Sequence, residues 1–235
     1  MARRKSLAFL DVGQGDCFAA DTKSGVIIFD GGSSSENQVG RYRILPYMKY
    51  LGYQKIQIAV ISHMDVDHYS GIMELLEMGK IKYLGLPEIP KDEAMKKIIG
   101  IAKKRGTTIF YLSRGRQITT KDGSFKVLHP QKNSQMEKNA ASLVMQGKIL
   151  GYRVLLTGDV EKEGEEELLS EELERTDILK AAHHGSKNST SNEFLQKVQP
   201  KHTVISCGKQ NRYGHPHSET IHGLQTYHTK IYRTD

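Results

Sequence analysis

The chain has 235 residues, room for one large domain or at most two small ones. Lys and Arg total 34 against 27 Asp and Glu, and the net charge of +7 suits a phosphate-rich partner without establishing one. Apolar residues reach 37%, enough for a buried core, yet no apolar run approaches the roughly 18 residues of a spanning helix. The basic start MARRKSLAFL lacks the apolar region of a signal peptide, so membrane-spanning, collagenous and disulfide-scaffold readings are excluded for this stretch. Cys17 and Cys207 fit no CxxC metal or redox pattern.

Two strands are expected in the first thirty residues: SLAFLDV, ended by GQGD, and GVIIFD, ended by Gly31-Gly32. A polar loop, SSSENQVGR, precedes helical spacing over Tyr42 to Tyr50. IQIAVIS (Ile56 to Ser62) has a buried-strand pattern and runs directly into HMDVDH. Ile72 to Met78 then reads as helix, IKYLGL as strand, and Asp92 to Lys104 as a helix ending at Gly106. Further on, TIFYL, FKVLH, SLVMQ and RVLLTG read as strands, the last ending at Asp159. Glu163 to Leu173 reads as helix, DILKAA as a strand ending at His183, Asn192 to Val198 as helix, HTVISCG as strand, and TKIYRTD as strand-like. The result is α/β alternation in two rough halves with no linker between them, hence one domain over 1–235, with the ending suggesting a cut from a longer chain. The acidic helix Glu163 to Leu173 reads as a solvated face or, failing that, a partner contact.

His63, Asp65, Asp67 and His68 place four potential metal ligands in six positions just after an apolar strand, on an expected strand-end loop. Imidazole and carboxylate suit Zn, Mn and Fe. Two such ions about 4 Å apart clamp a substrate and lower the pKa of a bridging water. Side chains 63, 65 and 67 are expected to converge, with His68 turned to a neighbouring site. Asp159 ends another strand, where a carboxylate either bridges metals or caps the next helix. In His183-His184-Gly185-Ser186, strand alternation sends only one histidine to the metal, while Ser186 is placed to donate to a phosphate. On the loop KQNRYGHPH, Asn211, Arg212, Tyr213 and His215 are substrate candidates. Arg212 suits phosphate pairing, and His215 suits protonation of a leaving group or contact with the phosphate.

Taken in order, FLDVGQGDC, IFDGG, SHMDVDHYSGI, NAASLVM, LLTGD, LKAAHHGSKNSTS and ISCGKQNRYGHPH resemble the metallo-β-lactamase superfamily. More narrowly, they resemble the C-terminal domain of the ComEC family of bacterial competence proteins, which pass DNA through the inner membrane. The resemblance runs from about Ser6 to Asp235. It implies a metallo-β-lactamase-like αββα sandwich with the metal site at the strand ends between the two halves. By the same resemblance His63 and Asp65 bind a first metal, and Asp67, His68 and His184 a second. Asp159 bridges them, with His183 and Asp16 in support. The superfamily generally has His where Asp65 stands. It supplies another in the region of NAASLVM, where this chain offers Asn139 (a substrate-binding candidate) and Ser142. Oxygen ligands harden that first site, so Mn²⁺ is expected to serve better than Zn²⁺, or the first site to be only partly filled.

The activity so implied is metal-dependent phosphodiester hydrolysis of DNA during competence uptake, with a metal-bound hydroxide as nucleophile. Asp67 would orient the water or take its proton. The setting implied is the outer face of the bacterial cytoplasmic membrane, the channel portion of the parent protein being a partner and no lipid contact being expected. A non-catalytic DNA-guiding module with a degraded metal site is the alternative. So is a free-standing, cytoplasmic metallohydrolase of another phosphodiester or of a lactone or lactam.

Overall fold

A computed structural model describes residues 5–137 and 139–235; the basic start at 1–4 lies outside the described residues. The first half contributes β1 (Ser6–Phe9), β2 (Phe18–Thr22) and β3 (Gly25–Phe29), then a π-helical turn (Gly40–Ile44) running into α1 (Leu45–Tyr50). It continues with β4 (Ile56–Val60), α2 (Val66–Glu77), β5 (Ile81–Pro87), α3 (Glu93–Lys104) and β6 (Thr108–Leu112). These six strands form one sheet in simple chain order, parallel from β3 to β6. The second half holds β7 (Gln117–Thr120), β8 (Gly123–His129), β9 (Val144–Ile149), β10 (Tyr152–Leu156) and α4 (Lys162–Leu169). It ends with β11 (Ile178–Lys180), α5 (Asn192–Val198), β12 (His202–Ile205), α6 (Ser218–Thr226) and β13 (Lys230–Arg233). Its sheet runs from β13 through to β7 in reverse chain order, parallel across β10–β13.

Strand alternation divides the core into three layers. Phe18, Ala20, Ile27 and Phe29 point inward and meet Phe125, Met145, Val154 and Leu156 of the other sheet. The intervening residues Ala19, Val26 and Ile28 pack outward against Met48, Ile72 and Leu75 of the first-half helices. On the far side Val144 and Leu155 pack on Leu168, Phe194 and Leu224. Two sheets thus share one apolar interface and each carries helices outside, the αββα sandwich.

Several elements differ from the sequence expectation. The first thirty residues hold three strands, because FAADT is buried at every position between β1 and β3. Its alanines and acid give little strand propensity, and packing decides instead. Asp21 within it is held by Tyr53, whose hydroxyl donates at 2.7 Å. Helix α2 starts at Val66, six residues before the apolar spacing at Ile72 shows it, because polar ligand candidates fill its first turn. Helix α6 and edge strand β7 bury only two and one residues of their own, too few for a readable period. Helix α4 stops at Leu169, where Ser170 Oγ donates back to Glu167 O at 2.7 Å.

Nor is α4 simply a solvated face. Glu165 is buried and accepts from the backbone N–H of Thr190 at 2.6 Å and of Ser191 at 2.8 Å. Glu167 and Glu171 pair with Arg114, each at 2.9 Å. These partners lie far along the chain, beyond any periodicity argument. Cys17 and Cys207 are both buried free thiols. No helix among the described residues is long and apolar enough to cross a membrane.

Candidate metal centre

Strands β3, β4, β10, β11 and β12 all end at the same edge of the sandwich, where parallel sheets leave their ligand crevices. Asp30 follows β3, His63 follows β4, Asp159 follows β10, and His183-His184 follow β11. Close backbone contact seats the loops. Gly31 N donates to His68 O at 2.9 Å and Asp16 N to Asp67 O at 3.1 Å, laying GQGD and DGG against the first turn of α2. A Cβ on Gly15 would lie 2.2 Å from Gly32 O, and one on Gly32 2.5 Å from Val66 O, so neither position admits a side chain.

Three buried histidines are pinned by one ring nitrogen and open at the other. Asp30 accepts from Ser62 N at 2.7 Å and Ser62 Oγ at 2.8 Å, and His68 Nδ1 donates to it at 2.9 Å. Since the Ser62 hydroxyl gives its proton to Asp30, it accepts from His63 Nδ1 at 3.0 Å. His184 Nδ1 donates to the carbonyl of Ser206 at 2.8 Å. The Nε2 atoms of His63, His68 and His184 are buried without a hydrogen-bond partner. Orphaned imidazole nitrogens with their tautomer set from behind are the arrangement a metal-ligating histidine needs. They surround Asp159, whose Oδ2 lies 3.1 Å from His68 Nε2 and 3.3 Å from His184 Nε2, with Asp67 Oδ2 3.4 Å from the latter. Donor atoms of His63, His68 and Asp159 lie within 4.8 Å of one another, as do those of Asp67, His68 and His184. The residues fit divalent cations.

The electrostatics ask for the same thing. Burial opposes charge on His68, yet Asp159 and Asp30 outweigh it and hold its pKa well above the ordinary imidazole value. His184 is raised likewise, against burial, by Asp159 and Asp16. Asp159 is held well below the usual carboxylate range, burial being overcome by His184, His68 and Lys180. The pocket therefore demands positive charge at its centre, which protons or metal ions supply.

The expected residues are redistributed. His68 is central to the cluster rather than turned to a separate neighbour, since its position in the first turn of α2 aims it inward. Asp65 precedes α2 with 37% of its side chain exposed, its Oδ2 3.6 Å from His63 Nε2. The histidine pair is not the end of a strand: β11 stops at Lys180, and His183 and His184 adopt left-handed φ values of 47° and 53°. A turn, not alternation, separates them. His184 is buried in the cluster, and His183 Nε2 lies 3.9 Å from Asp159 Oδ2. Ser186 is buried, its Oγ accepting from Asn188 N at 3.3 Å, and it does not line the cleft, so the phosphate-donor expectation is corrected. Asn211 is occupied in shaping its own loop, donating to Gly208 O at 2.9 Å and accepting from His215 N at 3.0 Å, and it too is corrected to a structural role. His215 lines the cleft, but burial and then His183 and His184 push its pKa down to about 4. It is neutral near pH 7 and suits phosphate contact rather than proton donation. Arg212, Tyr213 and Asn139 stand at the mouth of the same cleft, of about 630 Å³. Ser142 holds the strand-end backbone, its Oγ accepting from Asp159 N at 3.2 Å.

Two central residues escaped the sequence reading. Asp30, quoted there only within IFDGG, is the hinge of the first wall. Lys180 is buried at the end of β11. It pairs with Asp16, donates to Gly158 O at 3.0 Å and lies 3.5 Å from Asp159 Oδ1. Lys180 first among its neighbours, against burial, holds Asp16 at about 2, so the supporting residue is a buried carboxylate at the floor of the site. A lone lysine in an apolar strand, two residues before a ligand-rich turn, was the available signal.

Residues 10–209 match the metallo-beta-lactamase superfamily. ComE operon protein 3 of Bacillus subtilis (strain 168) is 36% identical over 245 residues, covering 96% of this chain and 31% of that protein. Competence protein ComA of Neisseria gonorrhoeae is 29% identical over 232 residues, covering 96% and 30%. The chain thus spans about a third of the length of these relatives. Among solved structures, the metallo-beta-lactamase fold protein YhfI from Bacillus subtilis superposes with a TM-score of 0.61 at 13% identity, over 94% of this chain and 88% of that one. At that identity the likeness concerns the fold. With the sandwich, the cluster at its strand ends and the match over most of its length, the chain belongs to the metallo-beta-lactamase superfamily.

Proposed function

We propose that this chain is a metal-dependent phosphodiesterase that cuts DNA during competence uptake, at the outer face of the cytoplasmic membrane as part of a longer membrane protein. The observation that carries the hydrolase reading is the convergence of three orphaned Nε2 atoms on Asp159 and Asp67 at the floor of an open cleft. The similarity to competence proteins over nearly the whole chain supports DNA as substrate, and the net charge of +7 agrees with it.

Asp67, His68 and His184 would hold one cation, His63 and Asp65 a second, with Asp159 between them. Divalent ions there would withdraw charge from the phosphate and make a water acidic enough to attack it. Asp67 would be placed to orient the attacking water and take its proton, Lys180 keeps Asp16 and Asp159 ionised and in place, and Arg212 and the neutral His215 would meet the substrate at the mouth. The oxygen-rich first site, with Asp65 half open to solvent, favours Mn²⁺ over Zn²⁺. Metal-stripped protein is incubated with labelled single- and double-stranded DNA and Mn²⁺, Zn²⁺ or Mg²⁺ in turn, with Asp67→Ala alongside. Cleavage strongest with Mn²⁺ and lost in the variant is expected. No cleavage with any metal, with salt-sensitive DNA binding retained, would replace the enzyme by a guiding module.

A further inference from the structure

Among the described residues six large apolar side chains stand exposed, and two of them, Val66 and Tyr213, line the cleft above the Asp/His cluster. Val66 is 50% exposed and sits between Asp65 and Asp67, so the ligand-bearing turn itself holds an isopropyl group out into the cleft. Tyr213, 42% exposed, lines the same cleft from the loop after β12. That loop is built to hold its shape: Asn211 Oδ1 accepts from Tyr213 N at 3.2 Å, and Asn211 Nδ2 donates to His215 O at 2.6 Å. The Arg212 guanidinium lies 4.8 Å from the Tyr213 ring centroid. The ring of His215 follows at 5.6 Å, 20° from parallel.

A phosphate group has no use for a flat ring and a branched hydrocarbon; a planar heteroaromatic group does. We propose that Val66 and Tyr213, extended by Arg212, form a stacking subsite for an unpaired nucleobase next to the phosphodiester being cut. This rests on the DNA-cleaving reading of the cluster and gives it a substrate form. Bases inside a duplex have both faces covered by their neighbours, so the slot admits only an unstacked base, in a single strand or at a frayed end. A groove that adjoins the cleft at Asp65 and Asn139 carries Glu137, Glu161 and Glu163 against Lys162, a lining that disfavours the phosphate backbone.

Fluorescence anisotropy in EDTA at low salt tests this with three labelled probes: oligothymidylate of about twelve nucleotides, an abasic strand of equal length, and the duplex. The backbone charge of the two strands is the same. The base-bearing strand is expected to bind about tenfold tighter than the abasic one, and tighter than the duplex. Tyr213→Ala closes that gap, Tyr213→Phe keeps it, and a melting curve shows the alanine variant folded. Equal affinity for the two strands, or none for either, overturns the proposal, as does tighter binding of the duplex or a gap unchanged in Tyr213→Ala. Manganese-dependent hydrolysis of bis(p-nitrophenyl) phosphate by the unaltered chain reads the phosphodiesterase separately. Its absence with base-dependent binding intact would sink the hydrolase and leave the subsite standing.

Discussion

The two walls of the candidate centre are built differently. The first, from Ser62 to His68, is a local device. One strand end and one helix start place four ligand candidates within six residues, and a single carboxylate, Asp30, braces Ser62 and His68 from behind. The second wall is assembled over distance. Asp159 and the His183-His184 turn come from neighbouring strands, Lys180 beneath them reaches Asp16 from the opposite end of the chain, and Gln14 Oε1 accepts from Gly208 N at 3.0 Å to tie the halves together. Its turn also spends two non-glycine residues in the left-handed region, at about 1–2 kcal/mol each. A local wall depends on a few short hydrogen bonds. A long-range wall depends on the fold being complete, and it should fail through stability before it fails through chemistry.

Breaking the first wall at its ligand has the largest expected effect. Asp67→Ala should lower metal-dependent phosphodiester hydrolysis by at least a hundredfold, with an unchanged unfolding midpoint in the absence of metal. Retained activity would remove Asp67 from the reaction. Breaking the second wall at Lys180→Met leaves Asp16 and Asp159 buried with only His68 and His184 to offset their charge. Urea unfolding should show a loss of about 3–5 kcal/mol, and a change below about 1 kcal/mol would mean that the lysine is idle. Asp30→Asn sharpens the contrast. It should weaken metal affinity about 10- to 100-fold by calorimetry while the urea midpoint moves less than for Lys180→Met. Smallest is Glu165→Gln, which keeps one acceptor for the Thr190 and Ser191 amides and loses the other. About 1–2 kcal/mol of stability should go, with metal affinity nearly unchanged. A large affinity loss there would show that the loop after the histidine turn controls the site directly.

How much could be read beforehand follows the same division. IQIAVIS and RVLLTG were legible as strands because each is a short, mainly apolar run ended by polar or turn residues, and HMDVDH because its donors are adjacent in the chain. The start of α2 was hidden by those same donors, and FAADT by its weak propensity. Ser186 and Asn211 were misassigned because the hydrogen bonds that occupy them close their own loops, and residue type alone does not tell whether a side chain faces ligand or its own turn. The role of Glu165 was lost in an acidic run whose other members are mostly exposed.

The amino-acid sequence by itself determined the alternation of strands and helices and the order of the motif segments, and it placed His63 and Asp159 just after strands. These are consequences of local period and of residue type. Only the tertiary structure decided that His68 lies between His63 and His184, and that Asp30 and Ser206 leave the Nε2 atoms open. It also decided that Lys180 and Asp16 form a buried pair, and that Val66 and Tyr213 flank one cleft. Each of these joins residues distant in the chain, and the distance between the loops that carry them is set by how two sheets pack, which no local pattern encodes.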